Sequence, residues 1–361
     1  MNKKHIYSLT SLRFFAAAGV FLHHLGVLKT VDDKLVNEAA RYFFSGYAGV
    51  TFFYILSGFI ISFSYSKHKK DGLFDSKDFI FFRVCRIFPV HILTLLISLL
   101  MFSSGLVYGA ENITKLLLNL SLIHAFIPLN DIYFSYNTVS WSLSCELFFY
   151  CSFIFLVALK IRALIIILIS ILSLQFFFLF NPQSFIDEHW LFYINPIFRI
   201  AGFIIGMLLF RFHDEIKVLP KFRMCSFLEI MSFLFLLSTV LYISTNFISN
   251  MNVRYDLFFL PSMSFMVLIF SFDNGVISRL LSNKCLVFLG EASFSFYMIH
   301  LMVIRVVFKI GVSDVILDTK STLILSFFAF LLSILCSFFL FNYFERPVNK
   351  KLRSLWLRFR Y

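Results

Sequence analysis

Long runs of apolar residues, separated by short polar or basic breaks, set the pattern of the chain. A run of about 20 apolar residues is the length that a helix needs to cross a bilayer. The runs predict ten transmembrane helices, at residues 9–28, 43–65, 88–108, 139–159, 163–180, 190–210, 225–245, 255–272, 286–310 and 320–344. A further run, residues 113–128, is shorter than a crossing requires and is predicted to be a re-entrant or interfacial segment. The predicted fold class is therefore an all-α integral membrane protein.

Composition supports a membrane protein without a soluble part. The 361 residues are 60% hydrophobic and only 14% charged, whereas a soluble domain carries about 25% charged residues. No polar stretch is long enough for a soluble domain, so residues 1–361 are predicted to form a single transmembrane domain. The net charge of +12 is expected to flank the spans and meet membrane lipids. Nucleic acid is excluded as a partner, because it would need a soluble basic domain.

Positive charge sets the predicted orientation. Arg and Lys concentrate in the breaks at residues 67–77, 81–86, 160–162, 211–223, 278–284 and 350–360. The positive-inside rule places these breaks and both termini in the cytoplasm. The less basic breaks, predicted to lie outside, are residues 29–41, 181–189, 246–254 and 311–319. The first span is predicted to be retained, because it contains Arg13 and lacks a small-residue cleavage site.

The six cysteines are scattered along the chain and form no CxxC pair. Disulfide frameworks and metal sites show characteristic cysteine spacings. The cysteines are therefore predicted to be reduced residues of the core. We expect no metal and no tightly bound cofactor.

The first span carries ionisable residues on one helical stripe. His24 follows Arg13 by eleven positions, which brings the two side chains to within about 20° of each other and ~16 Å apart along the axis. Ionisable residues within a span need a partner, a cavity or a task, so this stripe is predicted to line an active channel. His23 lies ~100° round the helix from it, and geometry therefore favours His24 as general base or nucleophile.

Two arginines stand before the third span. Arg83 and Arg86 are three positions apart in the sequence RVCRIFP, so they share a face if this segment is helical. Two guanidinium groups at a membrane mouth can each bind phosphate oxygens bidentately, which makes them candidate donor-binding residues. Ordinary positive-inside anchoring explains the same spacing equally well.

A polar stripe opens the fourth span. Ser142, Glu146 and Tyr150 are spaced by four positions and follow Trp141, so the three share one face of a helix. A carboxylate one turn into a span is rarely without a role, and Glu146 is therefore a candidate catalytic residue. It could pair with an arginine, orient a histidine or bind a hydroxylated acceptor. A structural ion pair with Arg199 or a similar residue is the alternative.

Two later segments carry the remaining candidates. Tyr297 and His300 are three positions apart, which puts them on one helix face. A hydrogen-bonded packing role for His300 is the alternative. Glu345 and Arg346 precede Pro347 at the end of the last span, where adjacent opposite charges suggest a structural network at the membrane boundary. These four residues are predicted to support the site.

These motifs together resemble the acyltransferase-3 family of membrane proteins, which are bacterial enzymes that acylate, and most often acetylate, surface glycans. Six segments match in the family order, and the resemblance covers nearly the whole chain. They are SLRFFAAAGVFLHH, FFYILSGFIIS, RVCRIFP, NTVSWSLSCE, FSFYMIH and FERP. One departure is Thr10–Ser11, where many members have Asp-Gly. The carboxylate near Arg13 is therefore missing, and the local partner of Arg13 is open.

The resemblance implies an O-acetyltransferase of the bacterial cytoplasmic (inner) membrane. Its substrates would be cytoplasmic acetyl-CoA and a hydroxyl of a lipid-linked or exported polysaccharide, such as O-antigen, capsule or exopolysaccharide. His24 would be the catalytic histidine, as a base or as an acyl carrier. Arg83 and Arg86 would engage the phosphates of acetyl-CoA, with Arg13 in support. The outer, acceptor side would hold Trp141, Ser142 and Glu146.

Other functions stay open from the sequence. Another acyl donor, such as a succinyl donor, or a small-molecule acceptor would use similar residues. A polytopic transporter or flippase is a second class, but transporters often show paired halves, and no internal repeat is visible. A structural scaffold would not need Arg, His and Glu within its spans.

Overall fold

Helices form almost all of the described chain. The computed structural model describes residues 5–29, 31–70, 74–102, 110–182, 186–216, 220–244, 257–311 and 318–360. Helix makes up 87% of the structure, and these residues contain no strand. The predicted all-α fold class is confirmed.

The α-helices of the described residues are numbered here in chain order. They are α1 (Tyr7–His24), α2 (Lys34–Phe43), α3 (Ala48–Lys70), α4 (Ser76–Phe102), α5 (Ala110–Leu120), α6 (Asn130–Tyr133), α7 (Trp141–Leu156), α8 (Ile161–Phe180), α9 (Pro196–Glu215), α10 (Phe222–Ser244), α11 (Leu260–Ser271), α12 (Val276–Leu281), α13 (Lys284–Glu291), α14 (Ser293–Gly311), α15 (Thr319–Leu340) and α16 (Arg346–Arg360). Short 3₁₀ and π-helical turns join several of them.

Seven helical stretches of the described chain are long and apolar enough to cross a membrane, or eight if α13 and α14 together count as one span. The seven are Lys34–Tyr65, Ser76–Met101, Thr138–Leu156, Ile161–Phe180, Trp190–Glu215, Phe222–Ser244 and Thr319–Arg360. These stretches support a polytopic membrane protein. The predicted number of ten spans is not confirmed.

Two predicted spans fall outside that set for different reasons. α1 carries Arg13, His23 and His24, and these polar residues lower its mean hydropathy. Its Leu9 and Phe21 are nevertheless buried, because neighbouring helices enclose it. α11 has 12 residues and is therefore ~18 Å long, against a hydrocarbon core of about 30 Å. Crossing by these two helices stays a prediction.

The most extensive contact between two helices joins α3 and α9. Gly58 of α3 lies against the backbone of Phe203, and Gly206 of α9 lies against the backbone of Ile55. A Cβ atom at either glycine would overlap with the facing carbonyl oxygen. Small residues let helix backbones approach this closely in membranes, so the two glycines fix how α3 and α9 pack.

The span predicted at residues 286–310 is not one continuous helix. α13 and α14 meet at a bend of 66°. Gly290, just before the bend, packs against the backbone of Thr10 on α1, where a Cβ atom would overlap with the carbonyl oxygen. The bend brings Glu291 to the end of α1 that carries Arg13.

The short run at residues 113–128 is divided between two elements. α5 ends within it, and a 3₁₀ turn follows at His124–Phe126. α5 has 11 residues, or ~16 Å, and is too short to cross a bilayer. The buried His91 of α4 lies with Nε2 3.0 Å from the carbonyl oxygen of Asn119 and ties this segment to α4. A re-entrant or interfacial position is not confirmed and stays a prediction.

All six cysteines are free thiols. Cys85, Cys145 and Cys225 are buried, as predicted for core residues. Cys151 and Cys285 are exposed, so the core prediction is wrong for these two. They occupy outward-facing positions of α7 and α13, where a small side chain is not required to fill the interior.

Candidate active site

The histidine at the end of α1 meets a second histidine. His24, the last residue of α1, has its Nδ1 2.9 Å from Nε2 of His300 on α14. The other ring nitrogen of His300, Nδ1, lies 2.6 Å from the carbonyl oxygen of Tyr297. His24, His300 and this carbonyl are termed the histidine relay. The relay joins two histidines that the sequence places on different spans.

Hydrogen-bond chemistry assigns the ring hydrogens of the relay. The Tyr297 carbonyl only accepts, so Nδ1 of neutral His300 carries the hydrogen and its Nε2 is an acceptor. His24 Nδ1 therefore donates to His300 Nε2. The lone pair of His24 is left on Nε2, which is the form that a general base or a nucleophile requires.

Aromatic side chains bury one half of the relay. The His300 ring stacks on Phe296 at 6.0 Å between ring centres, and Phe21 packs at 6.2 Å from the same ring. His300 has no exposed surface, whereas His24 is half-buried. A reactant that approaches the relay therefore meets His24 first.

A cavity of about 600 Å³ lies at the other end of α1. Its charged lining residues are Arg13, Arg86, Arg346, Lys350, Arg353, Glu291 and Glu345. Cations outnumber acids in this lining, so the space favours an anionic ligand. It is termed the basic cavity.

Glu146 is associated with arginines and not with His24. Its carboxylate accepts a hydrogen bond from the Tyr150 hydroxyl at 2.8 Å, and its strongest charge interaction with an arginine is with Arg86. The predicted polar stripe on α7 is therefore present. The resemblance implied an outer, acceptor-side position for this carboxylate, and that position stays a prediction, as does the alternative pair with Arg199.

Arg13 finds its acidic partners on distant helices. The motif segment Thr10–Ser11 offers no carboxylate. The charge of Arg13 interacts most strongly with the like charge of Arg86, and then with the opposite charges of Glu345 and Glu146. Glu345 also accepts a 2.5 Å hydrogen bond from the Ser295 hydroxyl. Carboxylates from the end of the last span and from α7 thus supply the negative charge that acts on Arg13.

The two arginines before the third predicted span have different surroundings. Arg86 lines the basic cavity. Arg83 donates to the Tyr65 hydroxyl at 3.4 Å, and its guanidinium lies 5.3 Å from the centre of that ring and 5.9 Å from the centre of Tyr150. Cation–π contacts of this kind hold a guanidinium in place. Both residues are on one helix as predicted, but of the two only Arg86 lines the cavity.

Sequence comparison shows the family to which the chain belongs. The acyltransferase-3 model, described as an acyltransferase domain, matches residues 6–342. The chain belongs to the acyltransferase-3 family. The match includes the whole histidine relay and ends before α16.

Two curated relatives of this family member are similar over most of its length. "Acyltransferase MdmB" of Streptomyces mycarofaciens is 27% identical over 322 residues, which cover 82% of this chain and 79% of that protein. "Putative acetyltransferase ORF330" of Acidianus two-tailed virus is 24% identical over 316 residues, which cover 86% of this chain and 87% of that protein. No solved structure matches the chain. The family and the relatives identify the protein as an acyltransferase, and its apolar helices make it a membrane protein.

His23 of this acyltransferase packs among aromatic rings and lies beside His24, with 5.2 Å between the two ring centres. The His23 ring lies 5.5 Å from Tyr47, Tyr47 lies 5.8 Å from Tyr193, and Tyr193 lies 4.9 Å from Trp141. Each distance joins ring centres. His23 therefore packs between a cluster of aromatic rings and His24, while His24 is the residue that contacts His300. The role of His24 as the catalytic histidine stays a prediction.

Two further predicted residues hold the backbone beside the relay. The Ser142 hydroxyl donates to the Val139 carbonyl at 2.9 Å, and the Tyr297 hydroxyl donates to the same carbonyl at 3.3 Å. Val139 belongs to the 3₁₀ turn at Thr138–Ser140. These contacts fix that turn against α14, so both hydroxyls act on structure near the site.

Arg305 is a residue of the site that the sequence interpretation missed. It lies on α14, donates to the Thr138 hydroxyl at 2.8 Å and interacts by charge with His24. Arg305 follows His300 by five positions, and this spacing does not place two residues on one face of a straight helix. The sequence therefore offered no signal for it. Only the packing of α14 against the 3₁₀ turn brings it to the site.

The cations of α16 were missed as ligand-binding candidates. The sequence predicts a boundary network for Arg346 and simple anchoring for Lys350 and Arg353, but the structure places all three in the wall of the basic cavity. Their spacing of four and then three positions was the available signal, because it puts them on one helix face.

Proposed function

We propose that the protein is an O-acyltransferase of the bacterial inner membrane. It moves an acetyl group from cytoplasmic acetyl-CoA to a hydroxyl of a surface or exported polysaccharide, such as O-antigen, capsule or exopolysaccharide. The observation that carries this proposal is the histidine relay, because it leaves a basic nitrogen of the half-buried His24 available for chemistry. Membership in the acyltransferase-3 family supplies the reaction class.

The basic cavity supports a donor that carries phosphate groups. Guanidinium groups bind phosphate oxygens strongly and in fixed geometry, and Arg13 and Arg86 present two of them. In this proposal the nucleotide end of acetyl-CoA occupies the cavity. The flexible pantetheine arm follows α1 for the ~16 Å that separate Arg13 from His24 along the helix axis. Arg83 holds the neighbouring aromatic side chains in position.

The proposed reaction takes place at Nε2 of His24. This nitrogen removes the proton of the acceptor hydroxyl while the oxygen attacks the thioester carbonyl. A C–O bond forms, the C–S bond breaks, and the proton passes from His24 to the departing CoA thiolate. Arg305 interacts by charge with His24 and would stabilise the oxyanion of the tetrahedral intermediate.

A covalent route uses the same nitrogen. His24 Nε2 would first attack the thioester carbonyl, so that a C–N bond forms, the C–S bond breaks and CoA leaves as the thiolate. The hydroxyl oxygen would then form the C–O bond while the C–N bond breaks and the hydroxyl proton passes to the freed Nε2. The base route needs both substrates at once, whereas the covalent route lets them arrive in turn. Intact-mass measurement of the protein after mixing with acetyl-CoA, without acceptor, separates them, because only the covalent route gives an acetylated chain that His24→Ala lacks.

Polysaccharide composition tests the proposed function in cells. The surface polysaccharide of a strain that carries the gene should contain O-acetyl groups that are absent after gene deletion and return on complementation. Membership in the family identifies the reaction as acyl transfer. The measurement tests whether the transferred group is acetyl and whether the acceptor is the polysaccharide. Identical acetyl content in all three strains would contradict the proposal.

A further inference from the structure

One face of α16 presents a row of cations to the basic cavity. Arg346, Lys350 and Arg353 follow each other by four and three positions, so they lie on one face of the helix. All three line the cavity together with Arg86. This row lies outside the residues that the family model matches, which end at 342.

The position of this row is fixed by contacts between α16 and the start of α4. The Trp356 indole stacks on Phe81 at 4.1 Å and 13°, and its Nε1 donates to Asp78 at 2.7 Å. Arg360 forms ion pairs with Asp75 and with Asp78. The helix is therefore held on α4 by side chains beyond its cavity face.

The three cations of α16 in this wall form no ion pair with an acid of the described chain. Arg353 donates to the carbonyl oxygen of Phe82 at 3.2 Å, but its Nε is buried and has no hydrogen-bond partner among the described residues. Within the described chain, no salt bridge joins Arg346, Lys350 or Arg353 to an acid. Cations still outnumber acids in the cavity, although Glu291 and Glu345 also line it. An anion with several oxygens offsets the repulsion that remains among the cations.

We propose that α16 is a phosphate-binding element of the donor site, in which Arg346, Lys350 and Arg353 contact the phosphate groups of the nucleotide end of the acyl donor. This inference rests on the proposed function, which supplies a CoA donor. The phosphate of an anionic lipid headgroup has the same chemistry, and the experiment below distinguishes the two sources.

Calorimetric titration of the full-length protein in detergent with CoA tests the inference. The double variant Arg346→Ala/Lys350→Ala should bind CoA at least about tenfold more weakly than the wild-type protein, because hydrogen bonds to charged groups are lost. Lys351→Ala is the matched control, since Lys351 is the next residue, is exposed and does not line the cavity. Its affinity should equal that of the wild-type protein.

A phosphate-free donor is the matched control substrate. Acetyl-pantetheine lacks the phosphates, so the double variant and the wild-type protein should transfer its acetyl group at equal rates.

Equal CoA affinity of the double variant and the wild-type protein would overturn the inference and leave the proposed donor in place. A wild-type protein that does not bind CoA would overturn both. If the double variant keeps its CoA affinity but loses binding to vesicles that contain phosphatidylglycerol, the ligand is a lipid headgroup, and the donor assignment of α16 is wrong.

Discussion

The chemistry of His24 depends on a neighbour from another helix. The Tyr297 carbonyl fixes the hydrogen of His300, and His300 in turn accepts the Nδ1 hydrogen of His24. Partners of this kind orient a functional ring and select its tautomer. His300 is therefore a positioning residue, because it acts on the reactants through His24.

Substitution of His300 tests this role. His300→Leu should lower kcat roughly 10–100-fold, as losses of second-layer partners do, with little change in the KM for acetyl-CoA. His300→Gln offers a side-chain carbonyl oxygen that accepts the same hydrogen, so it should recover much of the loss. Steady-state acetyl transfer by the purified variants measures both constants. Equal loss in the two variants would mean that His300 serves packing alone.

At the residue scale the sequence predicts which face of a helix a side chain occupies, but not which distant residue it contacts. The choice of His24 over His23 needs only the turn angle of a helix. The contact between His24 and His300 spans 276 positions, so it depends on how α1 and α14 pack. The same limit explains Glu146, whose position on a polar stripe is predictable, whereas its association with Arg86 is not.

At the element scale, the pair α3 and α9 depends on glycine. Gly206→Leu should destabilise the protein, because the added side chain must displace the Ile55 backbone and overpacking of this kind typically costs about 1–3 kcal/mol. Gly26→Ala is the control, since a Cβ atom there meets open space. Thermal unfolding in detergent should show a lowered Tm for the first variant alone. An unchanged Tm for Gly206→Leu would contradict the described packing.

The docking of α16 on α4 should depend on pH. The hydrogen bond from Arg360 lowers the pKa of the Asp75 carboxyl below its ordinary value of 3.8. A carboxylate with a lowered pKa stabilises the folded form above that ordinary value, and the contribution is lost as the pH falls through the lowered pKa. Trp356 fluorescence should therefore stay constant from neutral pH down to about 4 and change only below it.

A background without Trp141 and Trp190 isolates this signal, because the chain has three tryptophans. Asp75→Asn should shift the fluorescence already at neutral pH, whereas Asp32→Asn, at an exposed position near α2, should not. If the protein that lacks only Trp141 and Trp190 changes its fluorescence near neutral pH, Asp75 does not control the docking.

Hydrophobic runs predict most of the elements, but not their interruptions. The bend between α13 and α14 arises where Gly290 meets the backbone of Thr10, and this is a tertiary contact. The hydrophobic pattern also does not predict the π-helical turns at Trp190–Ile194 and Phe341–Glu345. The second of them carries Glu345, which lines the basic cavity.

At the scale of the whole molecule, α1 links two sites of different chemistry. The basic cavity lies at the end that carries Arg13, and the histidine relay lies at the end that carries His24. Substrates that arrive from opposite sides of a membrane suit this arrangement. The stripe on α1 predicts that Arg13 and His24 lie at different depths along one helix. The number of spans is harder to predict, because a helix such as α1 can carry polar residues when other helices enclose it.

The predicted orientation places the basic cavity in the cytoplasm. A green fluorescent protein fused after Tyr361 should fluoresce, and alkaline phosphatase fused at the same point should be inactive, because positive charge retains this end inside. Fusions to chains truncated at residue 250, in a break predicted to lie outside, should show the opposite pattern. Active phosphatase after Tyr361 would reverse the proposed entry side of the donor.

Acetyl transfer by the purified protein to polysaccharide extracted from the deletion strain tests the central claim most directly. His24→Ala should lower the rate roughly 10²–10⁴-fold, the range for loss of a general base, with acetyl-CoA affinity retained. His23→Ala, which alters the adjacent ring in the aromatic cluster, is the matched control and should keep most of the rate. A His24→Ala protein as active as the wild-type protein would contradict the account.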